Sequence, residues 1–125
     1  MNPRAALLAL VDAANWWDLE SIQDIAEHPR VTESFRRLLT AFPDVRIDVE
    51  WTIAEGDRAA GWAAIRGTHD GEWRGLPASG KPIDVRGMLA VQTNSDGGVA
   101  DFWVANDWLS IAMQIGVPLT LPSES

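Results

Sequence analysis

One carboxylate near the end of the chain, Asp107, has a setting suited to proton transfer. Its neighbours are apolar: Trp103, Val104, Ala105, Trp108 and Leu109. We expect them to bury the carboxyl, and burial raises the pKa of a carboxyl because it penalises the charged form. Such a group can take a proton from an activated C–H bond and return it to an alkoxide. The alternative is structural, since Asp-Trp-Leu-Ser is also a typical helix start with Asp107 as its N-cap.

Two further residues are candidates for the same chemistry. In a regular strand, Asp101 and Trp103 share a face with Asp107, because side chains alternate between the two faces. Asp101 is then a second candidate carboxylate, and Trp103 a pocket wall. His69 is a candidate because imidazole exchanges protons near neutral pH; its alternative role is to hold a glycine-rich loop together. His28 lies 41 positions away with no compact ligand motif, so no metal site is predicted.

A second group of side chains shares one predicted face of the segment 82–93. Asp84 and Arg86 stand at positions i and i+2, and Met88 and Gln92 follow on the same face. Arg86, Met88 and Gln92 are candidate ligand contacts, and the Gln92 amide can bond a ligand carbonyl. The alternative for Asp84 and Arg86 is a solvated ion pair on the sheet.

The sequence has seven tryptophans and no tyrosine. Tryptophan is large and rigid, so it either fills a core or lines a cavity for a flat, apolar ligand. Composition alone does not choose between these roles. Five tryptophans are candidate cavity walls: Trp51, Trp62, Trp73, Trp103 and Trp108. Trp16 and Trp17 are assigned to packing at a helix end.

Length and composition exclude several classes of function. The chain has 125 residues, of which 46% are hydrophobic, so we expect one folded domain over residues 1–125. A net charge of −8 without a basic patch argues against nucleic acid and anionic membranes as partners. The chain contains no cysteine, and its N-terminal stretch reads as a helix with no signal-peptide cleavage site. These features predict a cytoplasmic protein.

The order of hydrophobic patterns predicts helices first and strands second. Helices are expected after Asn2-Pro3, after Asp18 and after Thr32, where cap residues precede apolar residues at helical spacing. Strict alternation predicts a strand over 45–53. The remaining predictions are strands over 58–68, 82–93 and 99–106, a helix over 108–115 and a loose tail over 117–125. This is an α+β layout, with the N-terminal helices packed on a strongly bent antiparallel sheet and a short C-terminal helix.

Six short motifs carry a resemblance to a known family. In chain order they are Phe-Pro-Asp-Val-Arg-Ile-Asp-Val-Glu (42–50), Glu-Gly-Asp-Arg (55–58), Gly-Thr-His-Asp-Gly-Glu (67–72), Gly-Leu-Pro-Ala-Ser-Gly-Lys (75–81), Val-Arg-Gly (85–87) and Phe-Trp…Asp-Trp-Leu…Gln-Ile-Gly (102–116). Together they resemble the SnoaL-like polyketide cyclases over residues 42–117. The resemblance implies the cone of the nuclear transport factor 2-like fold.

The resemblance also implies a function. It points to cofactor-free, aldol-type ring closure in a hydrophobic, oxygenated small molecule such as a polyketide, with Asp107 as general acid/base. Relatives hydroxylate or open epoxides, and Asp84 and Arg86 with Asp107 are similar to the water-activating set of limonene epoxide hydrolase-type enzymes. A non-catalytic binder is the other alternative. It is favoured by Phe102, where the family usually has His, and by a short segment over 27–31.

The fold that the resemblance implies also leads to a prediction about self-association. Proteins of this fold often self-associate through the exposed face of the sheet, which predicts a homodimer or larger homo-oligomer. In that case Trp51 or Trp62 would lie in the interface.

Overall fold

Within residues 2–118, which a computed structural model describes, three helices precede a four-stranded sheet and a fourth helix follows it. The helices are α1 (Pro3–Asn15), α2 (Leu19–Ile25), α3 (Pro29–Ala41) and α4 (Trp108–Gln114). The strands are β1 (Arg46–Glu55), β2 (Arg58–Thr68), β3 (Pro82–Thr93) and β4 (Val99–Asn106). The predicted α+β fold is confirmed. Positions 119–125 of the predicted tail lie outside the described residues.

Local capping chemistry sets the helix starts. The Asn2 side chain accepts a hydrogen bond from the Ala5 N–H at 2.7 Å, ahead of a proline at the first helical position. The predicted start of α3 after Thr32 is wrong, because α3 begins at Pro29. His28 is the cap there, and its ring Nδ1 accepts from the Arg30 N–H at 3.2 Å. None of the helices within residues 2–118 is long and apolar enough to span a bilayer.

The sheet is an antiparallel meander in the order β1-β2-β3-β4. In β2 and β3 the odd-numbered side chains face the helices, as the buried Ala63, Ile65, Val85 and Leu89 show. Helix α1 packs across β1, β2 and β3 and closes that part of the inner face. Toward β4, the inner face contacts α3 through the rings of Phe102 and Phe35.

A β-bulge in β1 changes which side chains the strand buries. Val49 pairs with Ala63, but the next pair is Trp51 with Trp62, so Glu50 is the extra residue. The alternation predicted over 45–53 is therefore wrong beyond Val49. Trp51 and Ile53 lie on the outer face of the sheet, 50% and 62% exposed.

The outer face carries two apolar rows that cross all four strands. We call these eight residues the outer apolar face. One row is Trp51, Trp62, Met88 and Ala105, and the other is Ile53, Ala60, Ala90 and Trp103. The Trp51 and Trp62 rings stack with their centroids 6.3 Å apart. The bulge thus adds Trp51 and Ile53 to an apolar surface on the outer side of the sheet.

Two of the recognisable motifs fasten the chain at the end of α3. The Asp44 carboxylate accepts from the Thr68 N–H at 2.7 Å and from the Thr68 hydroxyl at 2.8 Å, and these bonds hold the pKa of Asp44 below its usual value. Gly71 passes so close to α3 that a Cβ there would overlap the carbonyl oxygen of Thr40. These contacts fix the start of the loop over 69–81, which forms one side of the site described next.

Candidate functional site

A cavity of about 740 Å³ opens between α3, the loop over 69–81, the sheet and α4. Its apolar walls are Phe35, Leu38, Phe42, Ile65, Leu89, Phe102, Val104 and Ile111. Small-molecule sites have this size and this apolar character. The cavity exists because α1 covers only part of the inner face of the sheet.

Strand β4 presents its even-numbered side chains to the cavity. Phe102, Val104 and Asn106 line it, and Trp103 lies on the outer apolar face, 45% exposed. The prediction that Trp103 is a pocket wall is therefore wrong. Asp101 also lies outside the cavity. Its carboxylate accepts from the Arg30 guanidinium at 2.8 Å and from the Phe102 N–H at 2.8 Å, so it ties α3 to β4.

Asn106 is the one polar side chain among the described sheet residues that line the cavity. It pairs across the strands with Gly87, and a Cβ on Gly87 would overlap the Asn106 side-chain oxygen. Within residues 2–118 the Asn106 amide has no hydrogen-bond partner. Sequence reasoning missed Asn106, because its glycine partner is recognisable only once the strand register is known.

Asp107 is exposed and caps α4. One carboxylate oxygen accepts from the Ser110 N–H at 3.0 Å and the other from the Ser110 hydroxyl at 2.7 Å. These two bonds hold the pKa of Asp107 below its usual value. The prediction of a buried carboxyl with a raised pKa is therefore wrong, and the N-cap reading is confirmed. The two neighbours of Asp107 in sequence, Asn106 and Trp108, both line the cavity.

The mouth of the cavity is built from aromatic rings and a guanidinium. Trp73 and Trp108 both line it and stack with their centroids 5.8 Å apart and their planes 27° apart. The guanidinium carbon of Arg74 lies 4.0 Å from the centre of the Trp108 ring. This distance is typical of a cation–π contact.

Two glutamates and two further arginines also line the cavity. Glu33 forms ion pairs with Arg36 at 3.1 Å and with Arg37 at 3.5 Å, all on α3. Glu72, beside Trp73 in the loop, makes no ion pair with any described residue. Glu72 is thus a cavity carboxylate whose charge is not engaged by a nearby cation.

The buried His69 side chain holds the loop over 69–81 together through its bonds to Ser79. It is 1% exposed, and its Nδ1 accepts from the Ser79 N–H at 3.2 Å and contacts the Ser79 hydroxyl at 2.8 Å. The ring proton is therefore assigned to Nε2, which is buried and has no partner among the described residues. His69 does not line the cavity, so its loop-holding role is the one the contacts support.

The other predicted ligand contacts lie on the outer side of the sheet. Arg86 pairs with Glu50 at 2.6 Å, and Gln92 donates to Asp57 at 3.0 Å. The prediction that Arg86, Met88 and Gln92 contact a ligand in the cavity is wrong, because β3 turns its odd-numbered side chains inward. Trp62 lies outside because β2 also turns its odd-numbered side chains inward, and Trp51 lies outside because of the bulge at Glu50. Within residues 2–118, no cluster of three or more His, Asp or Glu side chains could hold a metal ion.

The family model described as SnoaL-like polyketide cyclase matches residues 29–115. The chain belongs to this family. Among curated proteins, none matches the sequence. Two similar solved structures come from Streptomyces. AclR of S. galilaeus, a candidate hydroxylase, is 25% identical, with a TM-score of 0.81 over 95% of this chain and 83% of AclR. IdmH of S. antibioticus, a candidate polyketide cyclase, is 25% identical, with a TM-score of 0.76 over 94% of this chain and 100% of IdmH.

A third SnoaL-like structure extends the likeness in fold. The protein from Jannaschia sp. CCS1 is 23% identical, with a TM-score of 0.79 over 92% of each chain. The predicted nuclear transport factor 2-like architecture is confirmed by these neighbours. Within this SnoaL-like chain, Asp44, Thr68 and Gly71 of the family motifs maintain the fold. The reaction must therefore be inferred from the residues that line the cavity, since the fold alone does not determine it.

Proposed function

We propose that this SnoaL-like protein binds a hydrophobic, oxygenated small molecule of polyketide type and closes a ring in it by an aldol-type reaction. The observation that carries the proposal is the apolar cavity with the unpartnered Asn106 amide on its sheet wall. An apolar wall accepts the carbon skeleton, and a fixed amide orients one oxygen of the ligand. The likeness to a candidate cyclase and a candidate hydroxylase supports a small-molecule reaction.

The proposed chemistry needs one base and one hydrogen-bond donor. A carboxylate removes a proton from the carbon between two ligand carbonyls, which leaves an enolate. The enolate carbon forms the new bond to the carbon of a third ligand carbonyl, whose C=O π bond opens to an alkoxide, and this alkoxide takes up the proton. The Asn106 N–H donates to the enolate oxygen, where negative charge develops in the transition state. All atoms of the substrate are kept in the product.

We assign the proton transfer to Asp107, as the family resemblance implies. Its low pKa leaves it ionised at neutral pH, the form that accepts a proton. The same low pKa makes it a weak base, and its two bonds to Ser110 compete with substrate. Glu72 is the alternative base, because it lines the cavity and no described cation pairs with it.

Conversion and binding are tested together. The protein is mixed with a panel of aromatic β-dicarbonyl compounds, each of which carries a further ketone within five- or six-membered ring-closing reach of the carbon between the two carbonyls. Tryptophan fluorescence reports binding, and chromatography with mass detection reports isomeric products. Loss of conversion in Asp107→Asn, with binding retained, supports Asp107 as the base. Loss in Glu72→Gln alone transfers the role to Glu72.

A second candidate function is ligand binding without catalysis. Phe102 stands where the family usually has His, and its ring packs on Phe35 with centroids 5.5 Å apart. This position therefore presents no proton donor or acceptor to the cavity. Binding of the panel with no product from any member would favour this function over ring closure.

We also propose that a second copy of the chain covers the outer apolar face. Monomers rarely expose a continuous apolar surface of this kind. The charges at its margin are engaged within the chain, as Arg86 with Glu50 and Arg66 with Asp84 at 3.4 Å illustrate. Two chains of equal negative charge can therefore approach here without strong local repulsion, and a two-fold axis lets the same surface serve both copies.

A further inference from the structure

The turn at the cavity mouth holds an arginine in an unfavourable backbone conformation. Trp73 and Leu76 exchange two main-chain hydrogen bonds, at 3.0 and 2.9 Å, around Arg74 and Gly75. Both central residues are left-handed, with φ of +51° for Arg74 and +81° for Gly75. Two-residue turns of this kind favour asparagine, aspartate or glycine at the first position, since other side chains are strained there. An arginine in this strained conformation points to a function of its side chain.

The turn directs the Arg74 side chain over the aromatic mouth. Its guanidinium lies over Trp108 at 4.0 Å and near Trp73 at 5.5 Å. Contact with one ring does not use all five N–H donors of a guanidinium. Among residues 2–118, no carboxylate or other acceptor takes a hydrogen bond from Arg74. The mouth therefore holds an oriented cation with unused donors.

The surrounding charges leave Arg74 available to an anion. Arg36 and Arg37 share the single carboxylate of Glu33, which offsets one of their two positive charges. Glu72 is next but one to Arg74 in sequence and lies at the same cavity, without an ion pair to it. The lining has three arginines against two glutamates, a small positive surplus in a chain of net charge −8. A positive site in an acidic protein selects ligands by charge.

We propose that Arg74 binds a carboxylate carried by the ligand, so that the cavity selects the free acid of a flat hydrophobic molecule over its ester. Guanidinium and carboxylate match in a two-bond, planar arrangement, which an ester cannot offer as an anion. Trp73 and Trp108 lie beside the guanidinium and contact the ring that carries the carboxylate. This inference rests on the proposed function, because the rest of the ligand must occupy the cavity.

The test compares one ring system in two charge states. The probes are 3-hydroxy-2-naphthoate and its methyl ester, titrated by calorimetry into the intact protein at low and at high salt. Wild type is expected to bind the acid about tenfold more tightly than the ester, in line with one charge-assisted contact at a partly exposed site. The preference should shrink as salt screens the charge.

Three variants assign the preference to a residue. Arg74→Gln should bring the acid-to-ester affinity ratio to about one by weakening the acid and sparing the ester. Arg74→Lys should keep part of the ratio, since it retains charge without the planar pair of donors. Arg58→Gln removes the same charge from an exposed position outside the cavity and should leave the ratio unchanged.

The outcomes separate this inference from the proposed function. Equal binding of acid and ester by wild type overturns the role of Arg74 and leaves the cavity proposal standing. An acid preference that survives in Arg74→Gln overturns it as well. Binding of neither probe overturns both proposals.

Discussion

The Asn106 side chain occupies the space that Gly87 leaves open on the neighbouring strand. The two residues are paired across β3 and β4, and a Cβ on Gly87 would overlap the Asn106 side-chain oxygen. The position of the Asn106 amide in the cavity wall thus requires a residue without a side chain at position 87. A glycine in the middle of a strand normally weakens the strand. The close approach of the Asn106 side chain explains why Gly87 is nevertheless found there.

Gly87→Ala should displace the Asn106 amide and destabilise the protein by roughly 1–3 kcal/mol, the usual cost of inserting a methyl group into packed structure. Urea unfolding measures the loss. In an Asn106→Ala background, the same change should cost much less, because the overlapping group is gone. Equal costs in both backgrounds would show that the two residues are not coupled.

Two substitutions distinguish the role of Asp107 as a helix cap from its proposed role as a base. Asp107→Asn should leave the free energy of unfolding within about 0.5 kcal/mol of wild type, because asparagine caps helices as well as aspartate does. Asp107→Ala should lose roughly 1 kcal/mol with the cap. Both variants should lose turnover if Asp107 is the base. Wild-type turnover in the asparagine variant would exclude that role.

Asp107 should also contribute to the acid sensitivity of the fold. Its folded-state pKa lies below the unfolded value, so its contribution is present above the ordinary aspartate pKa of about 3.9 and is lost as the pH falls through the folded-state value. Ser110→Ala removes the hydroxyl that is the main cause of the low pKa and should raise it. Carboxyl NMR titration measures this shift.

The chain offers a matched control for that titration. Asp18 caps α2 through Ser21 in the same geometry, and bonds from Ser21 likewise lower the pKa of Asp18. Ser110→Ala should move Asp107 and leave Asp18 unchanged. A common shift of both groups would mean that the hydroxyl is not the cause.

The outer apolar face predicts a dimer. Analytical ultracentrifugation at micromolar concentrations should give twice the chain mass for wild type. Trp62→Lys should give the monomer, because it places a cation in the centre of the two apolar rows. Trp16→Lys is the control: Trp16 is 77% exposed but lies in the α1–α2 connection, so this variant should remain dimeric. A monomeric wild type would contradict the proposal.

The sequence predicted the fold well because hydrophobic period and cap residues are local signals. The ends of β2, β3 and β4 were predicted to the residue, and so were the caps of α1 and α2. The bulge at Glu50 was missed, since apolar and polar residues continue to alternate in the sequence from Val49 to Ile53 although the side chains change faces there. That single residue moved Trp51 and Ile53 to the opposite face.

The site was harder to predict, because it depends on which face each strand turns inward. Apolar neighbours in sequence made Asp107 look buried, but one step along β4 separates Asn106, which lines the cavity, from the exposed cap. Nothing in the sequence indicated that Arg74 would lie at the cavity. Its left-handed backbone and its contact with Trp108 arise only when the loop over 69–81 is folded against α4.

We propose that a polyketide-like molecule is bound and converted in the cavity. The most direct measurement is chromatographic detection of an isomeric ring-closed product from the β-dicarbonyl panel, with wild type and with Val104→Trp, which fills the cavity from β4. We predict a product of unchanged mass from wild type and none from Val104→Trp. Equal product from both proteins, or no binding and no product from folded wild type, would contradict the proposed function of the cavity.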